Sequence, residues 1–202
     1  PVAIRYPRGK AYDGYEGCRE RISYGKSEWI FEGKEIAILS VGHMFEEAVK
    51  TRDKLIEQGY EPTLINMRFI KPIDEAMIEK VCQTHKLIAV IEENVQTGAC
   101  GERVSEYVMR KMLPSHVLIL ALPDDYIEHG SVDVLRKMTG IDSESMSEKI
   151  IIYGNRYRSS YEEIDIALTK AEELFKRGKY KESLDLSMKS LSFIDKNVTE
   201  KF

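Results

Sequence analysis

Two arginines three residues apart stand near the start of the chain, in Arg5-Tyr6-Pro7-Arg8-Gly9. A guanidinium is a planar fork of donors that stays charged at every relevant pH, which suits it to hold a phosphate. Arg8 lies between Pro7 and Gly9, where the backbone can turn and the side chain can reach out of a strand. Arg5 sits three positions earlier on that strand and so points to the other face. It is a further substrate-binding candidate, against the plainer reading of a structural or interface salt bridge. Glu92-Glu93-Asn94 closes an apolar run, at the strand end where α/β proteins place ligands. Neighbouring strand residues face opposite ways, so these two carboxylates cannot form an acid/base dyad as they stand. The segment Gly98-Ala99-Cys100-Gly101 then starts a helix. Its free N–H groups can take an anion or be capped by the same carboxylates.

Three weaker candidates complete the set. Arg68 and Lys71 flank Phe69-Ile70 before Pro72; they suggest either an anion site or, more simply, an ion pair of Lys71 with Asp74 at a domain contact. Glu93 is held open for a loop or interface role. His129, beside Glu128 and Gly130, has a neighbouring acid for proton chemistry, or makes a structural hydrogen bond that holds its loop. His43, His85 and His116 are scattered, and none of the four histidines has metal-ligand spacing.

The elements that must position these residues follow from the apolar pattern. Residues 2–6 read as a strand, and residues 10–34, broken by glycines, as a linker or extended surface segment. Residues 35–41 form a strand ended by Gly42, and Phe45, Ala48, Val49, Leu55 and Ile56 follow at helical spacing up to Gly59. Further strands are expected at 61–67, 87–92 and 117–122. Helices are expected after Pro72, over 100–113, and near 131–139 and 143–151. Strands alternating with helices imply crossovers around a mostly parallel sheet, and continuous apolar runs imply helices on both faces. The fold class is α/β.

Composition narrows the function. Residues 1–150 carry 20 Lys/Arg against 25 Asp/Glu, a net −5, and residues 151–202 carry 10 against 9, a net +1. A pI of about 5.7 argues against nucleic acid as a partner. No run approaches the roughly 18 apolar residues of a membrane span, so no membrane contact is expected. Cys18, Cys82 and Cys100 match neither a disulfide framework nor a zinc set and read as reduced cytosolic thiols. The chain opens at Pro1, inside an expected strand, which leads us to expect a fragment with an upstream part.

Taken in order, Arg5-Tyr6-Pro7-Arg8-Gly9, Arg68-Phe69-Ile70-Lys71-Pro72-Ile73-Asp74, Glu92-Glu93-Asn94 and Leu122-Pro123-Asp124-Asp125-Tyr126-Ile127-Glu128-His129-Gly130-Ser131 resemble the C-terminal third of the 1-deoxy-D-xylulose-5-phosphate synthases. These are thiamine-diphosphate-dependent enzymes of the transketolase family, and the resemblance covers roughly residues 1–150. It implies that residues 1–32 are the end of a pyrimidine-binding domain and a linker, and that 33–152 are a transketolase C-terminal-like α/β domain. It also implies that Arg8 anchors the phosphate of glyceraldehyde 3-phosphate, in a homodimeric cytoplasmic enzyme of isoprenoid and thiamine precursor synthesis. Where the family has a second Gly and an aromatic, this chain has Ala99 and Cys100. The Gly-Asp-Gly segment and the activating Glu that serve thiamine diphosphate and Mg²⁺ belong to the family's upstream domains, and Gly-Asp-Gly does not occur here. The chain alone is therefore expected to bind no cofactor or metal and to hold no catalytic residue. Two other readings remain: the same domain of another transketolase-family enzyme, or a non-catalytic assembly module.

Residues 153–202 change character. Tyr153 to Ser160 read as a polar break, with Ser159 or Ser160 able to cap a helix. Ile164, Ala167, Leu168, Ala171, Leu174 and Phe175 form one apolar stripe, and Tyr180, Leu184, Leu186, Met188, Leu191 and Ile194 another, with Gly178 between. That pattern predicts an antiparallel helical hairpin. The stretch resembles the C-terminal end of the septation-ring formation regulator, and its junction with the preceding domain is expected to be a fusion.

Overall fold

The computed structural model describes residues 2–6, 12–15, 21–157 and 169–192, the side chains of 155–157 and 190–192 excepted. The chain divides into two compact units, Pro1–Ile151 and Ile152–Phe202. The first is built on a five-stranded sheet: β1 (Glu28–Phe31), β2 (Glu35–Ser40), β3 (Thr63–Asn66), β4 (His85–Val95) and β5 (His116–Leu122). Their order across the sheet is β1-β3-β2-β4-β5. Strands β2 to β5 pair in parallel and β1 joins β3 antiparallel at one edge. Helices α1 (Phe45–Glu57), α2 (Glu75–Thr84) and α3 (Cys100–Arg110) make the crossovers that parallel pairing requires. Helices α4 (Val132–Thr139) and α5 (Ser143–Tyr157) follow β5.

Strand alternation splits the apolar runs between two layers. Ala37, Leu39, Ile65, Ile88 and Val90 pack under Ile78, Val81 and Cys82 of α2 and Val104, Tyr107 and Val108 of α3. Ile38, Leu64, Ala89 and Ile91 point the other way, where α1 packs on β2 and β3 with Ala48 and Leu55 buried. Helix α5 meets α1 through Ser143 N, which donates to Glu47 Oε2 at 3.1 Å, and through a Lys54–Glu144 ion pair. The mostly parallel sheet covered by helices is the expected architecture.

Three local readings differ. Residues 2–6 have no regular structure, and Val2, Ile4 and Tyr6 are exposed, because among the described residues no strand pairs with them. Within the expected linker, residues 28–31 form edge strand β1. Trp29 packs on the core, Glu28 pairs with Arg68, and the Arg52 guanidinium lies 4.0 Å from the Phe31 ring centroid. Four residues are too few for a periodic signal, so only these tertiary contacts define the strand. Helix α5 also runs through Tyr153 to Tyr157, where a polar break was expected. Gly154 and Asn155 are weak helix formers but, unlike proline, leave the backbone ladder intact.

In the second unit, helical residues 169–176 (α6) turn at Gly178, with φ +78°, into α7 (Tyr180–Ser192). Ser183 Oγ donates to Ala171 O at 2.7 Å, and the Phe175 and Tyr180 rings meet edge-on at 5.1 Å. This pair resembles the expected hairpin, with a different seam. Ala171 and Ser183 are buried, while Tyr180 and Leu184 of the expected stripe are exposed. Ser159, Ser160, Ile164, Ala167, Leu168 and Ile194 lie outside the described residues.

Candidate functional site: the C-terminal edge of the sheet

Strands β2 and β4 are neighbours, but the chain leaves β2 towards β3 and leaves β4 towards β5. Such a reversal opens a crevice at the strands' C-terminal ends, the usual ligand position in open α/β sheets. At the end of β2 the chain turns on Gly42, with φ +61°, into a short 3₁₀ turn Gly42–Met44 that carries His43. At the end of β4 stand Glu92, Glu93 and Asn94.

The two carboxylates do opposite jobs. Glu92, 0% exposed, turns to the α3 side. Its Oε2 accepts from Cys100 N at 3.1 Å and from Asn94 Nδ2 at 3.1 Å, and its Oε1 accepts from Gly101 N at 2.6 Å. It therefore caps helix α3, whose own N-cap residue Ala99 makes no side-chain cap bond, and its charge suits the positive helix end. Gly101 is required there: an added Cβ would lie 2.6 Å from Ile119 Cγ2 and 3.1 Å from Glu92 Oε1. Of the two uses foreseen for these N–H groups, capping is the one observed.

Glu93 turns to the other face and joins a charged cluster. His43 Nε2 contacts Glu93 Oε2, and Arg136 Nε donates to Glu93 Oε1 at 3.1 Å. Arg136 Nη1 also lies 3.9 Å from Glu47 Oε1, which accepts from Lys50 Nζ at 2.9 Å. One network thus ties the ends of β2 and β4 to α1, α4 and α5. Lys50 is shared between Glu46 and Glu47, and Arg136 between Glu47 and Glu93. A histidine held against a carboxylate in this way is oriented to exchange a proton or to hold a polar ligand.

The expected site residues are distributed unevenly. Arg5 donates to Asn94 Oδ1, one residue from Glu93, so these two meet at the same edge. Arg8, with Pro7 and Gly9, lies outside the described residues. Lys71 is exposed, and its expected partner Asp74 is taken. Asp74 accepts from Lys26 Nζ at 3.1 Å, from Ser27 N at 2.9 Å and, as the cap of α2, from Met77 N at 3.3 Å. Asp74 is buried, and Lys26 reaches it together with the adjoining backbone N–H. His129 is exposed on the loop between β5 and α4. Sequence reasoning passed over His43 and Arg136. The Gly42-His43 pair directly after an apolar strand was a usable signal for the first; Arg136, 43 residues beyond Glu93, carried none.

The remaining reactive side chains are structural. Burial pushes the Cys82 thiol up, and the Cys100 thiol up to about 12, so neither is a nucleophile near neutral pH; Cys18 lies outside the described residues. His85 is buried, its Nε2 2.7 Å from Thr63 Oγ1, and burial lowers its pKa. Among the described residues no group of His, Cys, Asp or Glu could hold a metal ion. The strand-end carboxylates are already engaged by N–H donors and cations, so they do not fit a Mg²⁺–diphosphate group. No helix among the described residues is long and apolar enough to cross a membrane.

The family profile described as "Transketolase, C-terminal domain" matches residues 25–146. The chain belongs to that family. About three quarters of it is similar to 1-deoxy-D-xylulose-5-phosphate synthases. The protein of Lachnoclostridium phytofermentans is 40% identical over 151 residues, covering 74% of this chain and 24% of the relative. That of Aquifex aeolicus is 35% identical over 150 residues, with 74% and 24% covered. The chain thus spans about a quarter of these relatives' length. A solved split gene transketolase, an inactive β4 tetramer, superposes with TM-score 0.61 at 21% identity, covering 65% of this chain and 43% of that one. A transketolase mutant from Pichia stipitis gives 0.51 at 17%, with 67% and 19% covered; at these identities both speak for the fold. The profile "Septation ring formation regulator, EzrA" matches residues 131–202 and overlaps the first over 131–146.

Proposed function

We propose that this chain is the C-terminal part of a 1-deoxy-D-xylulose-5-phosphate synthase, which joins pyruvate and glyceraldehyde 3-phosphate to 1-deoxyxylulose 5-phosphate with loss of CO₂. The observation that carries the reading is the continuous similarity to such synthases over 151 residues at 40% identity. On this reading thiamine diphosphate and Mg²⁺ are held by domains outside the chain, and the enzyme is a cytoplasmic homodimer serving isoprenoid and thiamine precursors. The chain's own share is to carry Arg8 as phosphate anchor, with Arg5 supporting from Asn94. The Glu93 cluster sets the geometry of the edge, and Lys71 and His129 serve as loop or interface contacts. Residues 1–32 are read as the end of the preceding domain and its linker, and 33–152 as the C-terminal domain.

The test is made in the full-length enzyme. Arg8→Ala should lower kcat/KM for glyceraldehyde 3-phosphate about tenfold to hundredfold, the loss of one charge-assisted phosphate contact, with little effect on pyruvate. Arg8→Lys should recover only part, because a point charge cannot reproduce the fork. Equal effects on both substrates would remove Arg8 from the site. The isolated chain should not bind thiamine diphosphate in a calorimetric titration with Mg²⁺, and saturable micromolar binding would overturn the cofactor's assignment to other domains.

A second reading applies to residues 153–202. The match to the septation ring regulator over 131–202 supports a fused, non-catalytic helical module. A transcript that joins both parts in one reading frame would support a natural fusion; two separate transcripts would end that reading.

A further inference from the structure

Helix α4 differs from α1, α2 and α3 in what holds it to the sheet unit. It buries no residue, and its apolar side chains Val132, Val134 and Met138 are each more than half exposed. Its N-cap residue Ser131 makes no side-chain cap bond, and from Pro123 to Val134 every residue but Ile127 is exposed. Helix α3, by contrast, buries Cys100, Gly101, Val104, Tyr107 and Val108. Stabilisation by burial scales with the apolar area removed from water, so burial is not what fastens α4. The chain is anchored just beyond it. Gly140, with φ +68°, ends the helix in the left-handed conformation, Ile141 N donates to Arg136 O at 2.9 Å, and Ile141 is fully buried.

One side chain supplies the other hold. Arg136 is only 15% exposed although its helix lies on the surface. Its Nε donates to Glu93 Oε1 at 3.1 Å, and its Nη1 lies 3.9 Å from Glu47 Oε1. The planar guanidinium thus spans carboxylates from the end of β4 and from the first turn of α1. His43 contacts the second oxygen of Glu93. The inner side of α4 therefore faces the strand-end crevice, with its one inward cation set on the His43–Glu93 pair.

We propose that α4 is a lid on the crevice at the C-terminal edge of the sheet, pivoting at Gly140–Ile141 and latched by Arg136 to Glu93 and Glu47. In the closed arrangement described above, Arg136 covers the His43–Glu93 pair. When the latch lets go, the segment from Pro123 to Gly140 leaves the edge and both side chains open to solvent. A segment with so little buried apolar surface opens at low cost while the core beneath it stays folded. The lid is a property of this chain's own fold and draws nothing from the role proposed for Arg8.

Hydrogen–deuterium exchange of the full chain, read peptide by peptide, follows the lid, and labelling of His43 with diethyl pyrocarbonate follows what the lid covers. In the native chain the α4 amides should exchange at least about a hundredfold faster than those of α3, since exchange tracks local opening. Arg136→Ala should speed α4 exchange about tenfold further, the loss of a charge-assisted contact, and leave α3 unchanged. His43 should then label about threefold faster, with the rate at His116, on the opposite edge of the sheet, unchanged. Arg136→Lys should give a smaller acceleration of α4, about threefold, because a point charge cannot span both carboxylates; it carries the test if the alanine variant does not fold. Unchanged α4 exchange in the variants overturns the latch, as does equal acceleration of α3 or an α4 as slow as α3 in the native chain. Faster α4 exchange with unchanged His43 labelling overturns the lid, because α4 then does not cover the crevice.

Discussion

The sheet unit and the C-terminal helix pair are folded by different amounts of the same force. In the first, two layers of fully buried side chains sandwich the strands, with Ile38, Leu64, Ile88 and Ile91 at 0% exposure. In the second, the described seam is Ala171 against Ser183, one 2.7 Å hydrogen bond and one pair of rings, while Leu184 is 63% exposed. Hydrophobic stabilisation scales with area removed from water, so the two units should differ sharply in what they lose to mutation. Polar side chains show the same contrast. Glu92 and Glu93 are locked by several partners each, whereas the ion pairs of the helix pair, Lys176–Glu172 and Lys179–Glu182, are exposed and are worth little.

The largest expected effect tests that contrast directly. Ile38→Ala should cost about 2–5 kcal/mol in urea unfolding through the cavity it leaves, and Leu184→Ala less than about 0.5 kcal/mol. Comparable losses would show that the helix pair has a core equal to that of the sheet.

Next comes the division between adjacent carboxylates. Glu92→Ala strips three N–H donors of a buried acceptor and should cost on the order of 1.5–3 kcal/mol. Glu93→Ala leaves partly exposed partners that water can reach and should cost less, about 1 kcal/mol. A greater loss at Glu93 would make its cluster, and not the helix cap, the structural keystone of the edge.

A smaller effect sharpens the picture by pH. Burial lowers the His85 pKa below the ordinary histidine value of 6.5, so the unfolded chain takes up a proton that the folded chain refuses. Its contribution to stability is full above the unfolded pKa and is lost as pH falls from there towards the folded value. Urea midpoints should therefore decline below about pH 6.5, and His85→Gln should flatten that part of the profile. An unchanged slope in the variant would exclude His85 as its source.

The smallest effect is expected from removing residues 154–202, which belong to the second compact unit. The midpoint of thermal unfolding should move by less than about 5 °C, equivalent to roughly 1–2 kcal/mol for a domain of this size, with only helical signal lost. A larger drop would make the helix pair part of the sheet unit's fold and remove the main physical support for a fused module.

By itself the sequence determined strands β2 to β5 and helices α1 to α4, because apolar runs and helical spacing are local periodicities set by backbone geometry. It also determined that Glu92 and Glu93 face opposite ways, a consequence of the same alternation. What it left open was long-range. Edge strand β1 exists because β3 offers a partner and Arg68, Arg52 and the core take its side chains. Asp74 pairs with Lys26 rather than the nearer Lys71 because the chain folds Lys26 back onto the α2 N-terminus. His43, Glu93 and Arg136 become one cluster because strand order sets the ends of β2 and β4 side by side. No local rule links residues 43, 93 and 136; pairing the sheet and burying its two faces does.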